Sequence, residues 1–345
     1  MRVLHLASYG NPAAGSFVPM IEALAQRLRA RGDTFALVVP DVPGAAWHAR
    51  VRAAGVDVHV ASGARAAAAF ARAWRPDVAH VHFFGWEPAV TLALATSGAR
   101  VFWHAHSTSV RGGEVRRTPR TLVKYRVFGA RVARFVSVSA AIAGELARLG
   151  APPRRIVVVP NEVDAHRFRA PSSAERDAAR AALGLDGPAV LFFGRDPHLK
   201  GADVLARALA RMPGITVVAV GTPADARAAL GAHARVVAVE RADDVVPLMW
   251  AADALAMPSR AEGFGLVLRE AGLTGLPAAA SDLPALREAA AGLAATTFAP
   301  VDDDAALAAA LRTALASERT APALPGVDDD ALARWAARIV ALYDE

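Results

Sequence analysis

The chain has 345 residues, 54% hydrophobic and 21% charged, which supplies apolar material for two cores and excludes a disordered chain. It has no cysteine, so disulfides, a Cys-ligated metal centre and a thiolate nucleophile are ruled out. The net charge of +6 is uneven, with +11 over residues 1–165 and −5 over the rest, which suggests two halves with different partners.

From the N-terminus, residues 1–6 read as a buried first strand rather than a leader. No apolar run reaches the roughly 18–20 residues of a membrane-spanning helix, so a cytoplasmic protein is expected. Strands are expected over 3–7, 35–39, 56–60, 78–82, 100–104, 134–138 and 156–159, with amphipathic helices such as 17–31 and 64–74 between them. A Pro/Ser-rich, charged stretch over 170–177 reads as a linker. Strands then resume at 189–193, 216–220, 236–239, 254–257, 278–280 and 294–298. This alternation predicts an α/β protein with two Rossmann-like parallel-sheet domains. The final helix, 329–343, carries Leu332, Trp335, Ile339 and Leu342 at helical spacing and must pack on something.

The most informative stretch is 257–271. A strand ends at Met257, a loop carries Glu262, Gly263, Phe264 and Gly265, and a helix starts with Leu266, Val267 and, further on, Glu270. Ligands bind at this carboxyl edge of open α/β sheets. The glycines admit a close backbone approach, and the first helical turn offers free N–H groups to an anion. A carboxylate at Glu270 can accept the two hydroxyls of a ribose. Arg195, after Gly194, and Lys200, before Gly201, follow another strand; Lys200 is one of only two lysines among 39 basic residues. A fork and a point charge together suit a diphosphate.

Glu262-Gly263-Phe264-Gly265-Leu266 with Glu270-Ala271 resembles the signature of glycosyltransferase family 4. So do Phe193-Gly194-Arg195 with Lys200-Gly201, the segment Pro160-Asn161 through Asp164 and Phe168, and Gly275-Leu276-Pro277. The resemblance implies a GT-B fold with a cleft between its domains. It assigns 1–168 to an acceptor-binding domain, 169–326 to a donor-binding domain and 327–345 to a helix crossing back to the first. The implied activity is retaining, metal-independent transfer of a hexose or N-acetylhexosamine from a nucleotide-diphosphate sugar, UDP before GDP, to a hydroxyl acceptor. Arg195 and Lys200 would neutralise the leaving diphosphate, Glu262 would hold hydroxyls of the moving sugar, and Glu270 the ribose. Gly194, Gly263, Phe264, Gly265, Leu266 and Val267 would line the donor, with base contacts near 239–241. His106, with His104 as the alternative, would orient the sugar. Gly15 is assigned to the phosphates, although the family's adjacent glycine pair is here split into Gly10 and Gly15.

Three features admit other readings. His80, His82, His104 and His106 form H-x-H pairs on neighbouring strands, but no further ligands follow at short spacing, so the sequence assigns no metal. The acidic runs 302–304 and 328–330 precede helices and read as caps. Segment 111–134 holds eight basic residues against one acid, Glu114, and Leu122, Val123, Val127 and Phe128 are spaced to give a helix there one apolar side. That suggests an anionic acceptor or a peripheral contact with an acidic inner-membrane face, against ordinary surface. No cofactor and no nucleic-acid partner are expected. The rival functions are a catalytically silent nucleotide-sugar binder and a sugar-nucleotide epimerase.

Overall fold

The computed structural model describes the chain except residues 84, 109, 112, 113, 116, 294, 321–327 and 329. Its residues divide into two compact units, Met1–Glu162 with Asp330–Glu345, and Val163–Asp329. The division falls after Glu162 because Val163 and Phe168 are buried in the second unit's core.

The first unit contains β1 (Arg2–Ala7), β2 (Thr34–Val39), β3 (Asp57–Val60), β4 (Val78–His82), β5 (Arg100–Ala105), a short hairpin of β6 (Val110–Arg111) and β7 (Glu114–Val115), β8 (Val132–Ser137) and β9 (Ile156–Val158). Seven of these make one sheet in the order β3-β2-β1-β4-β5-β8-β9, with every pairing parallel. All five residues of β4 are buried, as a parallel sheet covered on both faces requires. The strand order reverses between β1 and β4, which opens a switch point at their carboxyl ends.

The second unit repeats the plan with β10 (Ala189–Phe193), β11 (Thr216–Val220), β12 (Arg235–Val239), β13 (Ala254–Met257), β14 (Ala278–Ser281) and β15 (Thr296–Ala299). Their order is β12-β11-β10-β13-β14-β15, again parallel throughout. Alternate residues feed two cores: Val190 and Phe192 pack with Leu205 and Leu311, whereas Leu191 and Val218 pack with Met249 and Leu268. The reversal here lies between β10 and β13.

The last helix, Ala331–Ala341, belongs to the first unit and packs on the helix Phe17–Ala30. Trp335, Ile339 and Tyr343 are each no more than 2% exposed within that core. Arg31 forks onto Asp344 at 2.8 and 2.9 Å, and Arg100 donates to the carbonyls of Leu342 and Tyr343. Residues 321–327, where a chain crossing back to the first unit would hinge, lie outside the described residues.

Segment 111–134 is not one helix. After the hairpin come Pro119–Val123, capped reciprocally by Thr118 and Thr121, a π-turn at Lys124–Phe128 and a 3-10 turn at Gly129–Arg131. The acidic run at 302–304 behaves as a cap: Asp303 accepts from the Ala306 amide at 2.8 Å.

Candidate functional site

In the second unit, two loops leave the carboxyl ends of β10 and β13 and lie against each other. The loop after β10 ends at Gly201, whose φ of +70° and position explain why no side chain stands there. A Cβ on Gly201 would sit 2.0 Å from the Pro258 carbonyl oxygen of the neighbouring loop. Gly194 and Gly265 are likewise enclosed: a Cβ would meet Thr222 Oγ1 at 2.5 Å and Leu286 Cδ2 at 2.6 Å respectively. Gly265 then starts the helix Leu266–Leu273, with φ of +92°.

This close approach brings Lys200 Nζ to 2.5 Å from Glu262 Oε1, which also accepts from Ser259 Oγ at 2.8 Å. Lys200 and Ser259 line a small recess of about 60 Å³ with Phe192, Phe193, Met257 and Val267. Arg195 is exposed just beyond β10. Gly263 and Phe264 are buried in the loop, whereas Leu266 and Val267 are half-buried on the first helical turn. Glu270 does not stand on an open helix face; it is only 6% exposed, because Leu268, Ala271 and Leu273 draw that turn into the core. The structure therefore brings Lys200, Glu262 and Val267 around one edge, while Arg195 follows β10 exposed and does not line the recess.

Arg260 organises this edge and was not singled out by the sequence. Its guanidinium forks onto Asp203 at 2.8 and 2.7 Å, reaches the His198 carbonyl at 2.6 Å, and pairs with Asp302 at 2.7 Å. Its backbone amide donates to Leu199 at 2.8 Å. The fork holds the Asp203 carboxyl well below the usual carboxylate range. An arginine beside the motif glutamate was the available signal.

The first unit carries Gly15 and His106. Gly15 has φ of +51°, and a Cβ there would lie 2.9 Å from the Tyr9 hydroxyl. His106 follows β5, half-buried, at one end of a network that spacing alone did not reveal. His106 Nε2 lies 2.9 Å from His82 Nδ1, His82 Nε2 is 2.8 Å from His5 Nδ1, and His5 Nε2 is 2.8 Å from the Tyr343 hydroxyl. From there His80 Nδ1 is at 2.6 Å, and His80 Nε2 is 3.1 Å from His104 Nδ1. Burial pushes His5 and His106 down to about 3 and lowers the other three, so these imidazoles are neutral. His104 is 1% exposed, so His106 is the one of the pair with surface to offer.

This doubled Rossmann arrangement, with a glycine-framed cationic edge at a switch point, is the GT-B fold, and it defines the class. Among solved structures, Anabaena Alr3699/HepE in complex with UDP and glucose superposes with a TM-score of 0.77 at 18% identity, covering 100% of this chain and 97% of that one. Sucrose-phosphate synthase (tll1590) from Thermosynechococcus elongatus gives 0.71 at 19%, covering 99% and 95%. The Glycosyltransferase Family 4 profile matches residues 19–167 and the Glycosyl transferases group 1 profile matches 187–317. The chain therefore carries a family 4-type domain followed by a group 1-type glycosyltransferase domain. D-inositol 3-phosphate glycosyltransferases of Mycobacterium bovis (strain BCG / Pasteur 1173P2) and Mycobacterium tuberculosis (strain ATCC 25177 / H37Ra) are each 40% identical over 147 residues. The match covers 38% of this chain and 30% of those proteins' length.

Proposed function

We propose that this protein transfers a hexose or N-acetylhexosamine from a uridine-diphosphate sugar to a hydroxyl acceptor, with retention and without a divalent metal. The observation that carries this reading is the Lys200–Glu262 contact at the switch point of the second unit. An ammonium has three donors and a carboxylate two acceptor oxygens, so the pair can stay joined while Lys200 reaches a phosphate and Glu262 a sugar hydroxyl. Arg195, exposed after β10, adds a second cation. Together they supply the charge stabilisation that a magnesium ion provides in other transferases. Glu270 takes the ribose, and Gly194 and residues 263–267 frame the donor. Relatives named as glycosyltransferases and neighbours solved with UDP and UDP-glucose support the donor class.

Retention follows most simply from attack on the face the diphosphate leaves, the departing phosphate oxygen taking the acceptor's proton. Gly15 and His106 of the first unit are assigned to the phosphates and the sugar. A thermal-shift panel of nucleoside diphosphates and nucleotide sugars tests the donor. A ligand at 100 times its Kd stabilises by about 2.7 kcal/mol. Stabilisation by UDP species alone supports the reading, and a flat response across the panel removes it. Turnover persists in EDTA; abolition by chelator with rescue by magnesium or manganese ends the metal-free mechanism.

Peripheral contact with an anionic membrane is favoured by one specific surface. Val123 and Val127 are 49% and 53% exposed, and Leu92 on the neighbouring helix Glu87–Ala93 is 66% exposed. Arg117, Arg120, Arg126 and Arg131 stand exposed around the first two. Two other cations of the segment serve the fold instead: Lys124 pairs with the buried Glu87 at 2.8 Å and Arg134 with Glu345 at 2.7 Å. Arg111 and Arg116 lie outside the described side chains. Co-sedimentation with phosphatidylserine-containing vesicles at low salt, lost at high salt, is expected; no binding at low salt returns the segment to ordinary surface.

A further inference from the structure

The network in the first unit contains ten imidazole nitrogens, and their pairing is uneven. Every nitrogen of His5, His80 and His82 is engaged within the network. His104 differs. Its Nδ1 meets His80, while its Nε2 is buried with no hydrogen-bond partner among the described residues. Buried polar atoms are rarely left so, and orphaned N–H groups are rarer than orphaned acceptors. The network therefore assigns the proton of His104 to Nδ1 and leaves a bare lone pair on Nε2.

We infer that His82, His104 and His106 form a binding site for a divalent first-row transition ion of the imidazole-preferring kind, zinc foremost. One ring nitrogen from each lies within 4.8 Å of the others. Zinc holds imidazole nitrogens at about 2.0–2.1 Å, so ring shifts on the order of 1 Å close the set. The ion replaces the His82–His106 hydrogen bond and takes up the orphaned lone pair. Two of the three rings are buried and His106 is half-buried, which gives an entry side and leaves a fourth position for water or an anion.

The supporting groups are already in place. A neutral ligand imidazole needs its second nitrogen to donate to a fixed partner. His104 donates from Nδ1 to His80, and His82 donates from Nε2 to His5. His80 and His5 then both donate to the Tyr343 oxygen, which has two lone pairs to receive them. In the ion-free network Tyr343 donates to His5 Nε2, so ion binding moves the single protons of His5 and His82 to Nε2, leaves that of His106 on Nδ1, and takes from the Tyr343 O–H that acceptor. Tyr343 is thus a positioning residue for an ion it does not touch. The site goes beyond sugar transfer and stands whether or not the donor reading holds.

The test uses the untagged full chain, freed of metal and titrated with Zn²⁺ against a chelating dye, and separately with Co²⁺ followed by its visible absorption. One ion per chain is expected, with the intense Co²⁺ bands of a four-coordinate site. His104→Gln and His106→Gln should each weaken binding about 100-fold or more, and Tyr343→Phe about 10- to 100-fold. His233→Gln, on the exposed surface of the other unit, should leave it unchanged. If His104→Gln fails to fold, the half-buried His106→Gln carries the test. Absence of stoichiometric uptake by the wild type, or uptake indifferent to both ligand substitutions, overturns the site.

Discussion

The two sheets share one strand plan and use their switch points in opposite ways. Between β1 and β4, the first unit fills the region with neutral imidazoles and seals it with the C-terminal helix, so that Tyr343 joins His5 and His80. Between β10 and β13, the second unit places a lysine, a carboxylate and close-packed glycines, and leaves an open recess. The topology provides a place at the strand ends, and the residues there decide whether it is a core or a charged edge. One edge should therefore answer to packing substitutions and the other to charge substitutions.

The largest effect is expected from Trp335→Ala. It empties a site 2% exposed in the first unit's core and should destabilise that unit by about 3–5 kcal/mol. Hydrogen exchange should quicken in residues 1–162 and stay unchanged in 163–329. Equal acceleration in both units would erase the distinction. Next comes Lys200→Ala, with Arg195→Ala beside it: turnover should fall about 100-fold while nucleoside binding holds, since the lost charge acts on the leaving diphosphate. Wild-type turnover in Lys200→Ala removes the assignment. Glu270→Ala should instead raise the donor's Kd about tenfold with kcat retained, because the ribose is held alike in ground and transition states. Deoxyribose donors should lose their disadvantage against that variant. If they do not, Glu270 serves the core it is buried in.

The smallest effect belongs to Arg260→Gln. Asp203 is 46% exposed at its side chain, so solvent screening holds the pair to about 1 kcal/mol or less. The Asp203 carboxyl is depressed in the folded state. Its contribution is present above the ordinary carboxylate pKa near 4 and is lost as pH falls below it. Urea titrations at pH 7 and pH 3 should show the difference between wild type and variant shrinking at the lower pH. A gap that widens there contradicts the ion-pair account.

The strands were legible because buried parallel strands are short apolar runs between helical periods, as in Val190–Leu191–Phe192 and the residues of β4. The hairpin of β6 and β7 was not, since two residues per strand carry no period. The helix expected in 111–134 broke into three turns because periodicity does not distinguish an α-turn from a π-turn. At the candidate edge, Lys200, Glu262 and the glycines were visible as a motif. Arg260 was not, because its role depends on Asp203 and Asp302, 57 and 42 residues away. Glu270 was visible in type and spacing but not in burial, which the neighbouring leucines decide. The histidine network was visible only as two H-x-H pairs. Tyr343, 338 residues from His5, joins them solely because the last helix belongs to the first unit.

The most direct test of the account follows UDP-hexoses and UDP-N-acetylhexosamines incubated with the protein by proton NMR, without acceptor. The account predicts slow release of UDP together with an equal amount of free sugar appearing first as the donor's own anomer, and about a hundredfold less of both from Lys200→Ala. Donors that bind and never release UDP would make this a silent binder, and a nucleotide sugar converted to its epimer with no UDP released would make it an epimerase; either result contradicts the transfer reading.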